Sequence, residues 1–291
     1  MRNVGPVKVI GDEVNDEVMV PLATYESPLW PSVGRGARVT KLAGGIRATV
    51  IDDRMSRSIL LEADNASVAL QAVNSIKARI VEHNMVTNAA DRLFPWVLEQ
   101  YPQLKYVSIS ANYCSDKKAT AVNGILGRGK YVVTEVTIPR ELCLRRLSTT
   151  PEKVVELNIK KNLIGTLLAG GLRSANAHYA NMLLAFYLAT GQDAANIVEG
   201  SQGLVHAEVR EGDLYFSATL PNLIMGSVGN GKGLDFVEKN LQLLGCKETR
   251  EPGARRLAIW CAATVLCGEL SLMAAQTNPG ELMQSHLSME R

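Results

Sequence analysis

Apolar and polar positions alternate over Val7–Ile10 and again over Val18–Thr24, and the acidic turn Gly11–Glu17 between them predicts two short strands. From Ser32 to Gly45 the spacing becomes helical, and Gly44-Gly45 ends it. Ile46–Asp52 and Ser58–Glu62 alternate as strands. No glycine or proline interrupts Ser58 to Phe94. Within that stretch Ala66, Ala69, Val73, Ile76 and Ile80 keep helical spacing, and Val86, Ala89, Ala90, Leu93 and Val97 resume it. The pattern predicts one long helix, or two broken near His83-Asn84, capped by Asn65, kinked by Pro95 and closed by Pro102. An apolar run, Tyr106–Ser110, precedes a helix over Ala119–Ile125, punctuated by Gly127-Arg128-Gly129. Tyr131–Ile138 is a strand, and Thr150-Pro151 starts a helix, with the threonine as cap and the proline in first position. Ala175–Leu188 reads as a buried apolar helix ended by Gly191-Gln192-Asp193. Gly203–Val209 and Asp213–Leu220 read as a hairpin around Glu211-Gly212, and a glycine-rich stretch, 226–233, leads into a helix over Leu234–Leu244. The last long helix covers Arg255–Ala275. Hairpins mixed with long helices predict an α+β fold rather than strict strand–helix alternation.

Composition narrows this little. The 291 residues are 46% hydrophobic and 21% charged, enough apolar material for a sizeable core, and the net charge of +2 gives no basis for bulk nucleic-acid or membrane-surface binding. The cysteines (Cys114, Cys143, Cys246, Cys261, Cys267) form no Cys-x-x-Cys pair and sit mostly in apolar contexts, which predicts reduced thiols. The histidines His83, His178, His206 and His286 are scattered, so no metal site is expected. The N-terminus has no apolar signal core, and the apolar run Leu257–Cys267 is too short to span a bilayer, so a soluble cytoplasmic protein with no membrane contact is expected.

Candidate chemistry concentrates at Ser110-Ala-Asn-Tyr-Cys-Ser-Asp-Lys-Lys118, where Asp116 and the pair Lys117-Lys118 follow a strand. Fixed charge at a strand end suits stabilisation of a developing oxyanion, although taken alone such a triplet is most often a solvated turn. Its context is more specific. Gly127-Arg-Gly-Lys130, Asn158-Ile-Lys-Lys-Asn-Leu-Ile-Gly165, Asn176-Ala-His-Tyr-Ala-Asn181, Ala189-Thr-Gly-Gln-Asp-Ala194, Gly268-Glu-Leu-Ser-Leu-Met-Ala-Ala275 and Ser285-His286 follow in order. Together they resemble the 3-hydroxy-3-methylglutaryl coenzyme A (HMG-CoA) reductases of the archaeal and eukaryotic class, densely from Tyr106 onward and more weakly before it.

The resemblance implies a large domain with a long central helix, formed by residues 1–57 and 104–291. Residues 58–103 would be the remnant of a ferredoxin-like small domain, reduced to a helical insert. It assigns Lys117 as oxyanion stabiliser, Glu26 in Leu22-Ala-Thr-Tyr-Glu26 as proton donor, Asp193 as organiser of that network and His286 as the acid for the departing coenzyme A thiolate. These residue types suit the work, since a buried ammonium stabilises an oxyanion and an imidazolium traps a thiolate near neutral pH. Arg57, Ser110, Asp116, Lys118, Lys161, His178, Asn181 and Ser285 become substrate ligands, and Gly229, Asn230 and Gly231 candidate contacts of NADPH or NADH. A homodimer or dimer of dimers with a shared site is implied, the apolar helices at 175–188 and 255–275 offering interface material.

The chain also departs from the family pattern. The cofactor domain is tens of residues shorter, with only Asn84-Met85-Val86 like the tail of the family's dinucleotide motif and Glu82-His83 at its acidic start. The N-terminal segments are contracted to Asn3–Gly11, Ser27-Pro28 stands where the family has glycine, and Asn230 interrupts the glycine loop. No G-x-G-x-x-G replaces the lost motif. Three readings follow: a nicotinamide-dependent reductase of HMG-CoA or a related acyl-CoA; a redox-neutral enzyme on an acyl thioester using the same residues; and a non-catalytic relative that binds an acyl ligand or pairs with a full-length reductase.

Overall fold

The computed structural model describes residues 1–55, 60–80, 94–108, 111–229, 231–247 and 253–289, with backbone alone at 75–80 and 285. These divide into a larger unit, Met1–Arg54 with Lys117–Arg291, and a smaller one, Met55–Asp116.

The larger unit is built on a six-stranded sheet. Its strands are β1 (Arg2–Ile10), β2 (Asp16–Leu22), β3 (Ile46–Arg54), β6 (Gly129–Ile138), β7 (Leu204–Arg210) and β8 (Asp213–Leu223), in the order β2-β1-β3-β6-β8-β7. All neighbours are antiparallel except β1 and β3. The β7–β8 hairpin turns at Glu211 and Gly212, both at positive φ, the geometry whose twist matches that of the flanking strands.

Helices cover the sheet. α1 (Leu29–Leu42) opens earlier than its spacing suggests, because Pro31 falls in the first turn, where an N–H has no helical partner to lose. Left-handed Gly44 and Gly45 follow its end. The core is α11 (Gly253–Gln276), long and apolar enough to cross a membrane by composition but buried along almost its whole length. α1 approaches it closely at Gly36, where a Cβ would run into the Cys267 carbonyl.

α8 (Tyr179–Ala189) is buried as expected, but starts at Tyr179 rather than Ala175. Side chains take over the preceding backbone: Asn176 Oδ1 accepts from Tyr179 N at 3.1 Å, and the Glu269 carboxylate accepts from Ala177 N and His178 N at 2.8 and 2.7 Å. Burial of α11 within its own chain also removes it as interface material. α8 keeps Leu184 and Leu188 exposed, and other exposed apolar side chains of this unit include Ile125, Leu163, Ile164, Leu167 and Leu168.

Helices that escaped the sequence pattern include α5 (Arg140–Leu147), which is short and mostly polar, the single turn at Ile197–Gly200, and α12 (Glu281–Met289), which carries His286. α6 (Pro151–Leu157), capped by Thr150 with Pro151 first, continues as a π-helix over Asn158–Gly165 and ends in α7 (Thr166–Leu168). α4 (Ala121–Leu126), α9 (Ile197–Gly200) and α10 (Asp235–Leu243) complete the unit.

The smaller unit holds β4 (Leu60–Glu62), α2 (Ala66–Ile80), α3 over 94–100 and β5 (Lys105–Ser108). Asn65 caps α2, its Oδ1 accepting from Ser67 N and Val68 N. Ala72, Val97 and Leu104 form a small core. β4 and β5 pair antiparallel, so the smaller unit carries a two-stranded sheet beside its helices; β4 falls on the strand expected at Ser58–Glu62, and β5 lies beyond the 58–103 helical insert. The proposed break at His83-Asn84 and the dinucleotide-motif tail Asn84–Val86 lie outside the described residues.

Candidate active site

The loop that follows β5 is strained in a specific way. Asn112, Ser115 and Lys117 all take positive φ without being glycine, a conformation that clusters at functional sites. At its end Lys117 extends Nζ to within 2.7 Å of Asp193 Oδ2. Asp193 is fixed in turn, because its Oδ1 caps the helical turn Ala194–Asn196 by accepting from Ala195 N at 3.0 Å. The Lys117 hydrogen bond, with that amide, holds the Asp193 carboxyl below the ordinary aspartate range. Beneath, the Lys117 backbone amide hydrogen-bonds the buried Glu199 carboxylate, which also meets Asn196 Nδ2 at 2.7 Å and Arg128 Nη1 at 3.2 Å. Burial nevertheless keeps Glu199 above the usual carboxylate range.

A second group of candidates surrounds a cavity of about 430 Å³, lined among others by Glu26, Arg35, Arg38, His178, Asn181, Glu281 and His286. Glu26 sits in the turn between β2 and α1, where its backbone accepts from Leu29 N, and Asn181 on α8 donates Nδ2 to its carboxylate at 2.7 Å. His178 lies at the start of α8 with Nδ1 at 2.7 Å from Glu269 Oε1. His286 comes from α12, which is held down by Arg35: its guanidinium binds the Ser271 carbonyl and hydroxyl and the Glu281 carboxylate. Lys117 and Asp193 are not among the cavity-lining residues. The structure thus pairs Lys117 with Asp193 and Glu26 with Asn181.

Lys161 projects from the π-helix, a geometry frequent at functional sites. Asn158 and Asn162 anchor that helix internally, Asn158 Nδ2 donating to the Val205 carbonyl and Asn162 Nδ2 to Asn158 Oδ1. Burial pulls the Lys161 ammonium below its ordinary range while the Glu269 charge pulls the other way. The Lys118 carbonyl accepts from Asn123 Nδ2 at 2.7 Å, and Asp116 closes the smaller unit. Arg57, Ser110 and Asn230, and the side chain of Ser285, lie outside the described residues.

Gly229 and Gly231 are exposed and take positive φ, and a Cβ at Gly229 would meet nothing, so the loop offers bare backbone as a rim. Such a rim fits close approach of a dinucleotide. The loop is tied to the turn that carries Asp193, since Gln192 Oε1 accepts from Gly226 N at 3.0 Å and Lys232 Nζ donates to the Gly191 carbonyl.

Sequence reasoning missed Arg35, Arg38, Glu199 and Glu269. Glu269 had a signal: a carboxylate inside the apolar run of a core helix is buried at a cost unless it has partners and a task.

The family model for hydroxymethylglutaryl-coenzyme A reductase matches residues 3–83 and 81–291. The chain is 38% identical to the 3-hydroxy-3-methylglutaryl-coenzyme A reductase of Pyrococcus abyssi over 315 residues, covering 93% of this chain and 77% of that protein. It is 37% identical to the enzyme of the same name from Methanothermobacter thermautotrophicus, covering 99% and 81%. Among solved structures, the class II 3-hydroxy-3-methylglutaryl-CoA reductase from Streptococcus pneumoniae bound to NADPH in open conformations superposes with a TM-score of 0.71 at 18% identity, covering 96% of this chain and 76% of that one, a likeness of fold.

Proposed function

The chain belongs to the hydroxymethylglutaryl-coenzyme A reductase family of oxidoreductases, and from that membership we propose that it reduces an acyl-CoA thioester, HMG-CoA to mevalonate, with NADPH or NADH. The observation that carries the proposal is the cavity that gathers Glu26, His178, Asn181 and His286, three of them from segments far apart in sequence.

In this reading Glu26, oriented by Asn181, gives a proton to oxygen as the carbonyl is reduced. His286 gives one to the departing coenzyme A thiolate, because an imidazolium is a competent acid near neutral pH. Lys117, held by Asp193, supplies the cation that stabilises the oxyanion. Arg38 puts positive charge on the cavity wall, where an anionic substrate would enter, while the Arg35 charge is met by Glu281. Lys161 and Lys118 are the further cations assigned to the acyl carboxylate. The nicotinamide supplies hydride when bound, and Gly229 and Gly231 would accommodate its dinucleotide at the bare rim of their loop. The smaller unit would be the reduced remnant of the family's cofactor domain.

The reading includes a cytoplasmic homodimer. Exposed Ile125, Leu163, Ile164, Leu167 and Leu168 in one unit are the apolar surface a second copy would cover. The relatives matched over nearly the whole chain are named as reductases, which favours reduction over redox-neutral thioester chemistry. Substrate-dependent oxidation of NADPH or NADH by the purified chain, with HMG-CoA as substrate, is the test.

A further inference from the structure

Glu269 is a carboxylate buried completely in the core helix, and all its hydrogen bonds go to one place. Oε2 accepts from the Ala177 amide at 2.8 Å, and Oε1 lies 2.7 Å from both the His178 amide and His178 Nδ1. One side chain therefore fixes the start of α8 and the imidazole that begins it.

An ionised carboxylate only accepts, so the Nδ1 that faces it carries the proton. The carboxylate charge is already met by the backbone amides and lies in the field of the Lys161 ammonium. The imidazole need not be cationic to neutralise it. From the other elements, Glu26, Arg35, Arg38, Glu281 and His286 face the same cavity as His178. With Nδ1 committed, Nε2 is the ring nitrogen left for a ligand.

We propose that Glu269 is a positioning residue that fixes His178 in the Nδ1-protonated tautomer and presents Nε2 to the cavity as a hydrogen-bond acceptor. The ligand group met there is a donor, a hydroxyl or an amide N–H, rather than a carboxylate, because two acceptors repel. This deepens the reductase reading and rests on it for the identity of the ligand, but the tautomer itself does not depend on any turnover.

The logic is that of a base oriented by a carboxylate, where exchange of acid for amide turns the ring into the wrong tautomer. Here glutamine at 269 could still turn its oxygen toward His178 and its amide toward Ala177 N–H, whereas leucine leaves Nδ1–H no acceptor at all.

The test is NMR of the imidazole nitrogens in the full-length chain labelled in histidine, with the His178 signals assigned by their loss in His178→Gln. A proton on Nδ1 and none on Nε2 near neutral pH is the expected result. A proton on Nε2, in either the other tautomer or the imidazolium, would overturn the proposal. Glu269→Leu, which leaves Nδ1–H no acceptor, is expected to shift His178 toward the Nε2-protonated form, and a folded variant with an unchanged tautomer would contradict the positioning role. Should that variant fail to fold, the wild-type spectrum still decides. A correct tautomer in a chain that oxidises no NADPH or NADH would leave Glu269 in place and remove the reductase reading alone.

Discussion

The Lys117 ammonium lies 2.7 Å from the Asp193 carboxylate, and Asp193 is at the same time the cap of the turn Ala194–Asn196. The reach of the lysine is thus set by a residue whose own rotamer is fixed from the far side. Lys117→Ala is expected to lower kcat by about a hundred- to a thousand-fold, the usual cost of removing an oxyanion donor. Asp193→Asn should cost less, since the amide oxygen can still accept from Lys117 or from Ala195 N. Steady-state kinetics of both variants check this ranking, and equal losses would contradict it.

The same pair has a pH signature. Asp193 is lowered in the folded chain, first by Lys117, so its contribution is present above the unfolded aspartate value and is lost as pH falls through the lower folded value. The pair should be intact at neutral pH and break only in acid below the ordinary aspartate range. Carbon NMR of the Asp193 carboxyl should show that titration, and in Lys117→Ala the midpoint should move upward. A midpoint unaffected by the lysine would exclude the coupling.

Most strands and the buried helices were legible from periodicity, because β6, β8 and α11 each answer to one environment along their length. What was not legible depended on single contacts. The start of α8 is decided by Glu269, which is distant in sequence, so an apolar run cannot reveal it. α12 has few buried residues and is held by Arg35 through Glu281, a contact that no spacing shows. Among site residues, Lys117 and Asp193 were paired by their family positions, whereas the Glu26–Asn181 hydrogen bond and the arginines of the cavity appear only once α1, α8 and α12 are folded together.

Two glycines in α1 should respond oppositely to alanine. Gly36→Ala forces a Cβ into the Cys267 backbone and should destabilise by about 1–3 kcal/mol, the range for overpacking. Gly34→Ala meets only the Val4 side chain at 3.6 Å and should stabilise by up to about 1 kcal/mol through helix propensity. Thermal or urea unfolding of the pair gives the answer, and shifts of the same sign would contradict the packing account.

Leu168 and Leu167 are among the most exposed large apolar side chains of the chain. If a second copy covers them, Leu168→Asp should shift the protein from dimer to monomer in sedimentation at fixed concentration, with the fold intact by circular dichroism. A wild-type chain that sediments as a monomer would contradict the dimer.

The most direct test of the reductase reading is NADPH and NADH consumption by the purified chain with HMG-CoA, with Lys117→Ala as control. Consumption that depends on HMG-CoA and is lost in the variant is the predicted result. A folded chain that consumes neither nucleotide in the presence of HMG-CoA would contradict it.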